Sequence, residues 1–333
     1  MSAWRIGSVC TGYGGLDIAV QQVFGGSLAW VADNDPGAAR ILAHHHPEVI
    51  NLGDITVADW CEVEPVDIYI GGYPCQPFST AGRRKGTEDA RHIWPHIARA
   101  LGVLRPRYAI FENVANHLRL GFDTVLCDLA DLGFDVEWCV VRADQVGACH
   151  QRRRLIVLAT AADAPRPRRQ GEGIRGSVAE RGDAAADAAD LGHQRNRRAR
   201  GGRPGPSDGR FPAADAARVG RGEGRPEPTR QQGRPGATVG GAPDWGEYAP
   251  AVARWEAVTG RRAPWATDDR GRLSPAFVEW MMGLEAGHVT AVPGLSRTAQ
   301  LKALGNGVVP LQAAVALRLL RSRAKAGTRG VAA

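Results

Sequence analysis

The sequence predicts an α/β fold in which helices cover both faces of a mostly parallel sheet. Between residues 3 and 160, short apolar runs alternate with stretches whose apolar residues recur at helical spacing. The connections between these stretches are short, which is typical of parallel strands joined by crossover helices. The chain has 333 residues, which is enough to bury a sizeable core in one large domain or two smaller ones.

Six apolar runs are predicted to be strands, at residues 5–9, 28–32, 66–70, 108–112, 136–142 and 155–159. A glycine-rich turn follows the first strand, and one helical face then carries Leu16, Ala19, Val20, Val23 and Phe24. Further helices are predicted over residues 93–104 and 124–132, between later strands. A further short strand is expected just before Asp54.

The alternation of strands and helices stops between about residue 161 and residue 243. This stretch contains 16 arginines, no lysine and a single aromatic residue, Phe211. It also carries a loose repeat of Ala-Ala-Asp-Ala type at residues 161, 185 and 213. A stretch with so few apolar side chains cannot form a packed core. We therefore expect a flexible, solvated insertion that is partly disordered. The alternative is an arginine-rich surface that becomes ordered on a polyanionic partner.

Regular structure is predicted to return near Trp245. Ser274 and Pro275 form an N-cap followed by a proline at the first helical position, and a short helix is expected over residues 277–282, ending at Gly283. A last helix follows Pro310, where Leu311, Val315 and Leu319 recur on one face.

Charge and cysteine content indicate the class of partner and the compartment. The formal net charge is +7 and the sequence pI is about 9.4, which favours a polyanionic partner such as nucleic acid. The six cysteines form no C-x-x-C pair, no signal peptide is recognised, and no apolar run is judged long enough to span a bilayer. We therefore expect a cytoplasmic protein with reduced thiols and no membrane contact. The adjacent histidines 44–46 do not share a helix face, so no metal site is predicted.

Three features at predicted strand ends suggest an adenosine site. The turn Gly12-Tyr13-Gly14-Gly15 joins a strand to a helix, but Asp17 stands where a dinucleotide fingerprint would need its third glycine. Asp33 ends the second strand, where a carboxylate can accept hydrogen bonds from ribose hydroxyls, and Asp54 could accept one from an adenine amino group. Each aspartate alone is more often a turn former, but ligands bind at this edge of a parallel sheet.

The segment Gly-Gly-Tyr-Pro-Cys-Gln-Pro-Phe-Ser at residues 71–79 directly follows a predicted strand. A single cysteine is usually a small buried apolar residue, and this is the interpretation for the other five. Cys75 differs because Pro74 and Pro77 restrict the loop backbone around it, which suits a nucleophile that must be aimed. The same loop continues into Arg83-Arg84-Lys85 between Gly82 and Gly86, so it could move and bind phosphate.

Two further motifs place ionisable groups at buried strands. In Phe-Glu-Asn-Val, Glu112 ends a buried strand, where desolvation would favour the neutral carboxyl that a proton donor requires. The run that starts at His150 brings Arg152 and Arg154 into the next apolar strand. Surface arginines are usually solvated, but alternating arginines that enter a buried strand indicate a specific role.

Taken in order, these motifs resemble the cytosine-5 DNA methyltransferase family, in its bacterial and phage branch. The resemblance runs from Ser8 to about Thr160 and again from Leu273 to Leu317, and it includes Gly-Asn-Gly-Val-Val-Pro at 305–310. It implies a Rossmann-like S-adenosylmethionine-dependent methyltransferase sheet with helices on both faces, plus a smaller, irregular target recognition region. It also implies transfer of a methyl group to C5 of a flipped-out cytosine in double-stranded DNA.

The resemblance assigns roles to individual residues. Cys75 would add to C6 of cytosine, Glu112 would protonate or hydrogen-bond N3, Arg152 would hold the pyrimidine carbonyl and Arg154 would support it. The implied S-adenosylmethionine-binding residues are Cys10, Tyr13, Gly14, Gly15, Asp33, Asn34, Asp54, Ile55, Gly72, Pro74, Asn306 and Val308. The implied DNA-binding residues are Gln76, Ser79, Arg83, Arg84 and Lys85. Cys10 and Asn34 depart from the family, which commonly has an aromatic ring for adenine stacking at the first position.

The resemblance also divides the chain. Residues 1–160 would form the catalytic and cofactor-binding domain, and residues 161–272 the target recognition region, including the Arg/Gly/Ala-rich part at 161–243. Residues 273–333 would return to the catalytic domain, with 311–321 beside the first strand and helix. We expect a monomer without a metal ion, with a role in restriction–modification or in protecting phage DNA.

Three other functions remain open at this point. A transfer RNA cytosine-5 methyltransferase on the same fold is the nearest, and the long insertion between His150 and Leu273 favours DNA over it. Thymidylate-synthase-like enzymes also add a Pro-Cys thiolate to pyrimidine C6, but the predicted adenosine site argues against them. A catalytically inactive DNA-binding module would not need Cys75, Glu112 and Arg152 together.

Overall fold

The computed structural model describes residues 3–74, 93–162 and 243–330, with side chains described as far as Ala324. Several sequence predictions fall outside these residues. They are Cys75 and the expected DNA contacts Gln76, Ser79, Arg83, Arg84 and Lys85, together with most of the Arg/Gly/Ala-rich part of the recognition region.

The described residues form a seven-stranded sheet with the order β3-β2-β1-β4-β5-β7-β6. The strands are β1 (Arg5–Val9), β2 (Ser27–Ala32), β3 (Ile50–Asn51), β4 (Ile68–Gly71), β5 (Tyr108–Val114), β6 (Phe134–Arg142) and β7 (Arg153–Ala161). Neighbouring strands from β3 to β5 are parallel, whereas β7 runs antiparallel to both β5 and β6. The predicted α/β fold class is confirmed.

Eight α-helices accompany the sheet within the described residues. They are α1 (Gly15–Phe24), α2 (Pro36–His45), α3 (Trp94–Leu104), α4 (Phe122–Asp131), α5 (Ala249–Thr259), α6 (Pro275–Met281), α7 (Arg297–Asn306) and α8 (Pro310–Gly330). The N-cap expected at Ser274 is present, because its side chain accepts a hydrogen bond from the Phe277 amide. Helix α6 therefore begins at Pro275, the residue that the sequence predicts at the first helical position.

The strands bury side chains on both faces because successive residues point to opposite sides of a sheet. Tyr69 of β4 and Phe111 of β5 lie in one apolar cluster, which α3 and α4 cover with residues such as Ile97 and Val125. The neighbouring Ile68, Ile70 and Ile110 lie in the opposite cluster, which α1 and α8 cover. Strands that are buried on both faces read as continuous apolar runs, and this is why the sequence revealed them.

Helix α8 returns to the N-terminal part of the sheet and packs beside α1. Ala313, Leu317 and Leu320 share an apolar cluster with Ala19 and Val20. At the start of α8, the Gln312 amide donates to the carbonyls of Val141 (2.7 Å) and Arg152 (2.6 Å), which fixes the helix to β6 and to the residue before β7.

One described stretch, Arg297–Ala324, is long and apolar enough to cross a membrane by length and composition alone. This corrects the expectation that no apolar run reaches that length. The apolar side of α8 nevertheless packs inside the fold, and a buried core helix passes the same test of composition.

The chain from residue 243 onward packs onto the C-terminal helices. Trp255 of α5 donates its indole N–H to the Trp280 carbonyl at 2.9 Å, and Arg254 donates to the Gly147 carbonyl at 3.2 Å. Trp255 and Trp280 lie in one buried cluster with Ala143 and Ala148, which follow β6. This part of the chain is therefore integrated with the sheet-bearing part.

Candidate active site

A cavity of about 560 Å³ lies at the carboxyl ends of β1, β2, β4 and β5. Its volume falls within the range of about 300–1,000 Å³ that is common for small-molecule sites. The turn after β1 lies on one side, Glu112 and Arg154 lie on another, and residues 302–308 complete the wall. Ligands bind at this edge in parallel α/β sheets because the loops that follow the strands converge there.

The glycine turn leaves the start of α1 open towards the cavity. Gly12 and Gly14 have φ values of +59° and +82°, a backbone conformation that glycine adopts without strain. Gly14 is the N-cap and provides no side-chain hydrogen bond, so the amides of the first helical turn remain available to an anionic ligand group. Gly15 and Leu16 both line the cavity.

Asp17 forms a buried acidic point on the cavity wall. Its side chain is 3% exposed, and its Oδ1 atom has no hydrogen-bond partner in the described residues. Burial raises the pKa of Asp17 to about 6, although a hydrogen bond with Ser8 acts in the opposite direction. A buried acceptor without a partner is costly in a native fold, so this atom is suited to a ligand donor.

Asp33, Asn34 and Asp54 form the polar end of the cavity. Asp33 accepts hydrogen bonds from the amides of Gly12 (2.8 Å) and Asp35 (2.9 Å), and burial raises its pKa. Asn34 donates its side-chain amide to Asp54 at 3.2 Å. The pKa of Asp54 is lowered, chiefly because the Thr56 amide donates to its carboxylate.

Cys10 lies between this polar end and the end of β4. It adopts a left-handed backbone conformation with φ of +50° and lines the cavity. Burial, with smaller contributions from Asp33 and Asp54, raises the pKa of its thiol to about 12. The thiol is therefore neutral, and Cys10 presents a small, weakly polar surface to the cavity.

Tyr13 and Gly14, which the family resemblance assigns to cofactor binding, do not line the cavity. Tyr13 is buried beneath it and donates its hydroxyl to the Val308 carbonyl at 2.6 Å. A Cβ atom at Gly307 would come within 2.0 Å of the Tyr13 ring, so the ring supports the glycine-rich segment from below. The other ten residues in that set, including Ile55, Gly72, Pro74, Asn306 and Val308, do line the cavity.

Glu112 and Arg154 form the opposite, buried end. Glu112 lies near the end of β5 with 8% exposure, and Arg154 of β7 approaches its Oε1 atom to 2.5 Å. Burial raises the pKa of Glu112, although Arg154 and Arg152 both act to lower it. A carboxyl group with a raised pKa can hold and donate a proton near neutral pH.

The two arginines of the Arg-x-Arg motif have different positions. Arg154 lines the cavity and contacts Glu112, whereas Arg152 does not line it. Instead, Arg152 donates through Nη2 to the carbonyls of Gly305 and Gly307. Of the two arginines, Arg154 is therefore the one on the cavity wall.

Sequence reasoning missed Asp17 and Lys302 as parts of the cavity wall. Lys302 of α7 lines the cavity and forms an ion pair with Asp35. It is one of only three lysines in an arginine-rich chain, and this rarity is the feature of the sequence that could have drawn attention to it. In the described ranges, no group of three or more His, Cys, Asp or Glu side chains is arranged to hold a metal ion.

A model of the family described as C-5 cytosine-specific DNA methylase matches residues 4–178, more than half of the chain. The chain belongs to this family. The resemblance identified from the motifs is thereby confirmed, and the matched residues include the whole sheet.

Individual relatives match part of this chain. The type II methyltransferase M.NgoBV of Neisseria gonorrhoeae is 31% identical over 142 residues, which is 39% of this chain and 34% of that protein. A protein of Escherichia phage P1 named DNA N-6-adenine-methyltransferase is 28% identical over 238 residues, 53% of this chain and 31% of that protein. The chain spans about a third of the length of these relatives.

A solved structure also shares the fold. The methyltransferase EhMeth of Entamoeba histolytica superposes with a TM-score of 0.58 at 13% identity, covering 97% of this chain and 99% of that one. At this identity, the likeness supports the methylase fold and carries no further assignment.

Proposed function

We propose that the protein is an S-adenosylmethionine-dependent DNA methyltransferase that acts on C5 of cytosine through a covalent bond from Cys75 to C6. One observation carries the proposal. A buried carboxyl, Glu112, lies beside Arg154 on the wall of the same cavity that Asp33 and Asp54 line. Pro74 also lines that cavity, and Cys75 follows it directly in the chain.

The described residues fit S-adenosylmethionine, which supplies an electrophilic methyl group when bound. The first-turn amides of α1 suit the carboxylate of its amino-acid end, and the unpartnered Oδ1 atom of Asp17 suits the ammonium group. Asp33 can accept hydrogen bonds from ribose hydroxyls. Asp54, with Asn34 and Ile55 beside it, suits the adenine end of the cavity.

Three side chains then act on the cytosine ring. The Cys75 thiolate adds to C6 while Glu112 gives its proton to N3, so that C5 becomes an enamine-like nucleophile. Arg154 holds the pyrimidine carbonyl. As C5 gains the methyl group, N3 returns its proton to the Glu112 carboxylate. A base then removes the proton from C5, the electron pair of that C–H bond restores the C5–C6 double bond, and the thiolate leaves.

The substrate in this proposal is double-stranded DNA with the target base flipped out, because C5 and C6 are inaccessible to a thiol within the stack. Residues 161–272 supply target recognition, and the positive net charge supports binding to the phosphate backbone. We place the protein in the cytoplasm as a monomer that works without a metal ion. Its role would be restriction–modification or the protection of phage DNA.

The test uses the full chain with S-adenosylmethionine and three substrates: plasmid DNA, transfer RNA, and duplex DNA carrying 5-fluorocytosine at mapped target sites. The proposal predicts 5-methylcytosine in digested plasmid, little labelling of RNA, and a denaturation-resistant adduct that Cys75→Ser abolishes. Detection of N6-methyladenine alone, preferential labelling of transfer RNA, or full activity of Cys75→Ser would each overturn it. Bisulfite sequencing of the methylated plasmid then gives the recognition sequence.

A further inference from the structure

Tyr73, two residues before Cys75, is held from two directions by residues that follow Glu112 in the chain. Its hydroxyl lies 2.8 Å from Nε2 of His117, and its backbone carbonyl accepts a hydrogen bond from the Asn113 side chain at 3.2 Å. Strand β4 ends at Gly71, two residues before Tyr73. The contacts with His117 and Asn113 restrain this part of the chain.

His117 has a defined hydrogen-bond polarity. Its Nδ1 atom lies 2.9 Å from the Leu120 carbonyl, which can only accept, so Nδ1 carries the hydrogen. In the neutral ring, Nε2 then offers a lone pair and accepts the hydrogen bond from the Tyr73 hydroxyl. Burial lowers the pKa of His117, which maintains this neutral form.

Aromatic packing restricts the Tyr73 ring as well. The ring centroids of Trp94, Phe111 and His117 lie 5.5, 6.0 and 5.6 Å from that of Tyr73. Phe111 directly precedes Glu112 on β5, and Asn113 directly follows it. The same short segment therefore carries the proposed proton donor and contacts the residue that leads to the proposed nucleophile.

We propose that His117 is a positioning residue, which fixes Tyr73 and thereby aims the Pro74–Cys75 backbone so that the thiolate meets C6 beside Glu112. This inference rests on the proposed covalent function. Pro74 has a restricted φ, so one of the backbone rotations between Tyr73 and Cys75 is fixed. A misplacement of about 1 Å at a nucleophile can slow the chemical step by about 100-fold.

The central variant is Tyr73→Phe, which keeps the ring packing and removes only the hydroxyl donor. His117→Gln retains an acceptor for that hydroxyl, whereas His117→Leu removes both hydrogen bonds of the ring. The control is Asp128→Ala, which removes a partly buried hydrogen bond of the same aromatic region, from the Trp94 indole at 2.7 Å, and leaves the Tyr73 and His117 side chains unchanged.

The readout is the single-turnover rate of adduct formation on 5-fluorocytosine DNA with saturating S-adenosylmethionine, alongside the Tm and the KM for cofactor. We expect Tyr73→Phe and His117→Leu to slow adduct formation about 10- to 100-fold with a cofactor KM within about 2-fold of wild type. The double variant should be no slower than the slower single variant, since both break one contact. His117→Gln should recover most of the rate, and Asp128→Ala should lower Tm while leaving the rate unchanged.

Two outcomes would overturn the positioning role. One is a wild-type rate for Tyr73→Phe, which should fold because it is nearly isosteric. The other is a loss of rate that parallels the loss of Tm in all variants, including Asp128→Ala. If wild-type protein itself forms no adduct, the covalent function fails; if wild type forms the adduct and Tyr73→Phe matches it, only the role of His117 fails.

Discussion

Asp54 and Glu112, at the two ends of the cavity, have pKa values that are shifted in opposite directions. Asp54, at the polar end, is solvated and accepts hydrogen bonds from the Thr56 amide and from Asn34, which lower its pKa. Glu112, at the other end, is buried, and its pKa is raised despite the neighbouring Arg154. The surroundings of Asp54 thus favour its ionised form, an acceptor for hydroxyl and amino groups, whereas burial of Glu112 favours its protonated form.

The order of the strands explains this difference. Asp54 follows β3, the edge strand, where water reaches the side chains. Glu112 lies on β5, between β4 and β7 and beneath helices on both faces. Similar carboxyl groups at the same edge of one sheet therefore have different chemistry because of their distance from its border.

The largest effect is expected at the buried end. Glu112→Gln removes the transferable proton but keeps the shape, so kcat should fall by about 10²- to 10⁴-fold while the KM for S-adenosylmethionine changes little. Steady-state methylation assays measure both constants.

The matched control is Glu279→Gln. Glu279 is also buried, but it lies far along the chain and accepts hydrogen bonds from the Gly287, Val289 and Thr290 amides. It should lose stability and keep its kcat; equal losses of kcat in both variants would contradict a specific role for Glu112.

Asp17 sharpens the comparison because it is buried like Glu112 but pairs with no cation. Its pKa is raised from 3.8 to about 6, so the folded state binds the proton more tightly than the unfolded state. Its contribution to stability is therefore fully present below pH 3.8 and is lost as the pH rises through about 6. Asp17→Asn, which never ionises, should gain about 3 kcal/mol relative to wild type between pH 4 and pH 7.5. Urea denaturation across this range tests it, and a constant difference between the two proteins would be the contrary result.

Substitution of Arg152 and Arg154 in turn tests which of the two arginines contacts the cytosine. Arg154→Gln should lower kcat by about 10- to 100-fold and raise the pKa of Glu112 further, because the cation beside that carboxyl is lost. The alkaline limb of the pH–rate profile should therefore move to higher pH. Arg152→Gln should instead lower Tm through its lost bonds to the Gly305 and Gly307 carbonyls. A larger loss of kcat in Arg152→Gln, at unchanged Tm, would reverse the assignment.

The smallest effect is expected at the polar end. Asp33→Ala should raise the KM for S-adenosylmethionine by about 10-fold with little change in kcat, because ribose hydrogen bonds are equally strong in ground and transition states. Asp54→Asn should change KM less, since the amide oxygen still accepts hydrogen bonds. Calorimetric titration of the cofactor gives an independent value. Unchanged binding in Asp33→Ala would remove this residue from the cofactor site.

Most of the fold could be predicted from local patterns. The strand at 5–9 was predicted with its observed bounds, and β4 to β7 within a few residues, because strands buried on both faces form continuous apolar runs. Strand β3 has only two residues, which is too short for an apolar run. Its presence was therefore expected only from the position of Asp54. The antiparallel orientation of β7 could not be predicted, since neither hydrophobicity nor spacing encodes the direction of a neighbouring strand.

The site was harder to predict from sequence. Glu112, Asp33 and Asp54 line the cavity because the ends of parallel strands converge, a rule that the sequence pattern supports. Arg152 and Tyr13 belong to family motifs but do not line the cavity. They donate hydrogen bonds to carbonyls at residues 305–308, about 150 to 300 positions away in the chain. Such pairings depend on tertiary packing and leave no local pattern.

The sequence by itself determined the α/β class, the order of the motifs and the residue types available for covalent methyl transfer, because each depends on neighbours within a few positions. Only the tertiary structure decided that Arg154 rather than Arg152 approaches Glu112, that Asp17 is buried with an unpartnered oxygen, and that His117 contacts Tyr73. These features arise from long-range packing, which sets burial and charge proximity and thereby the protonation of each group.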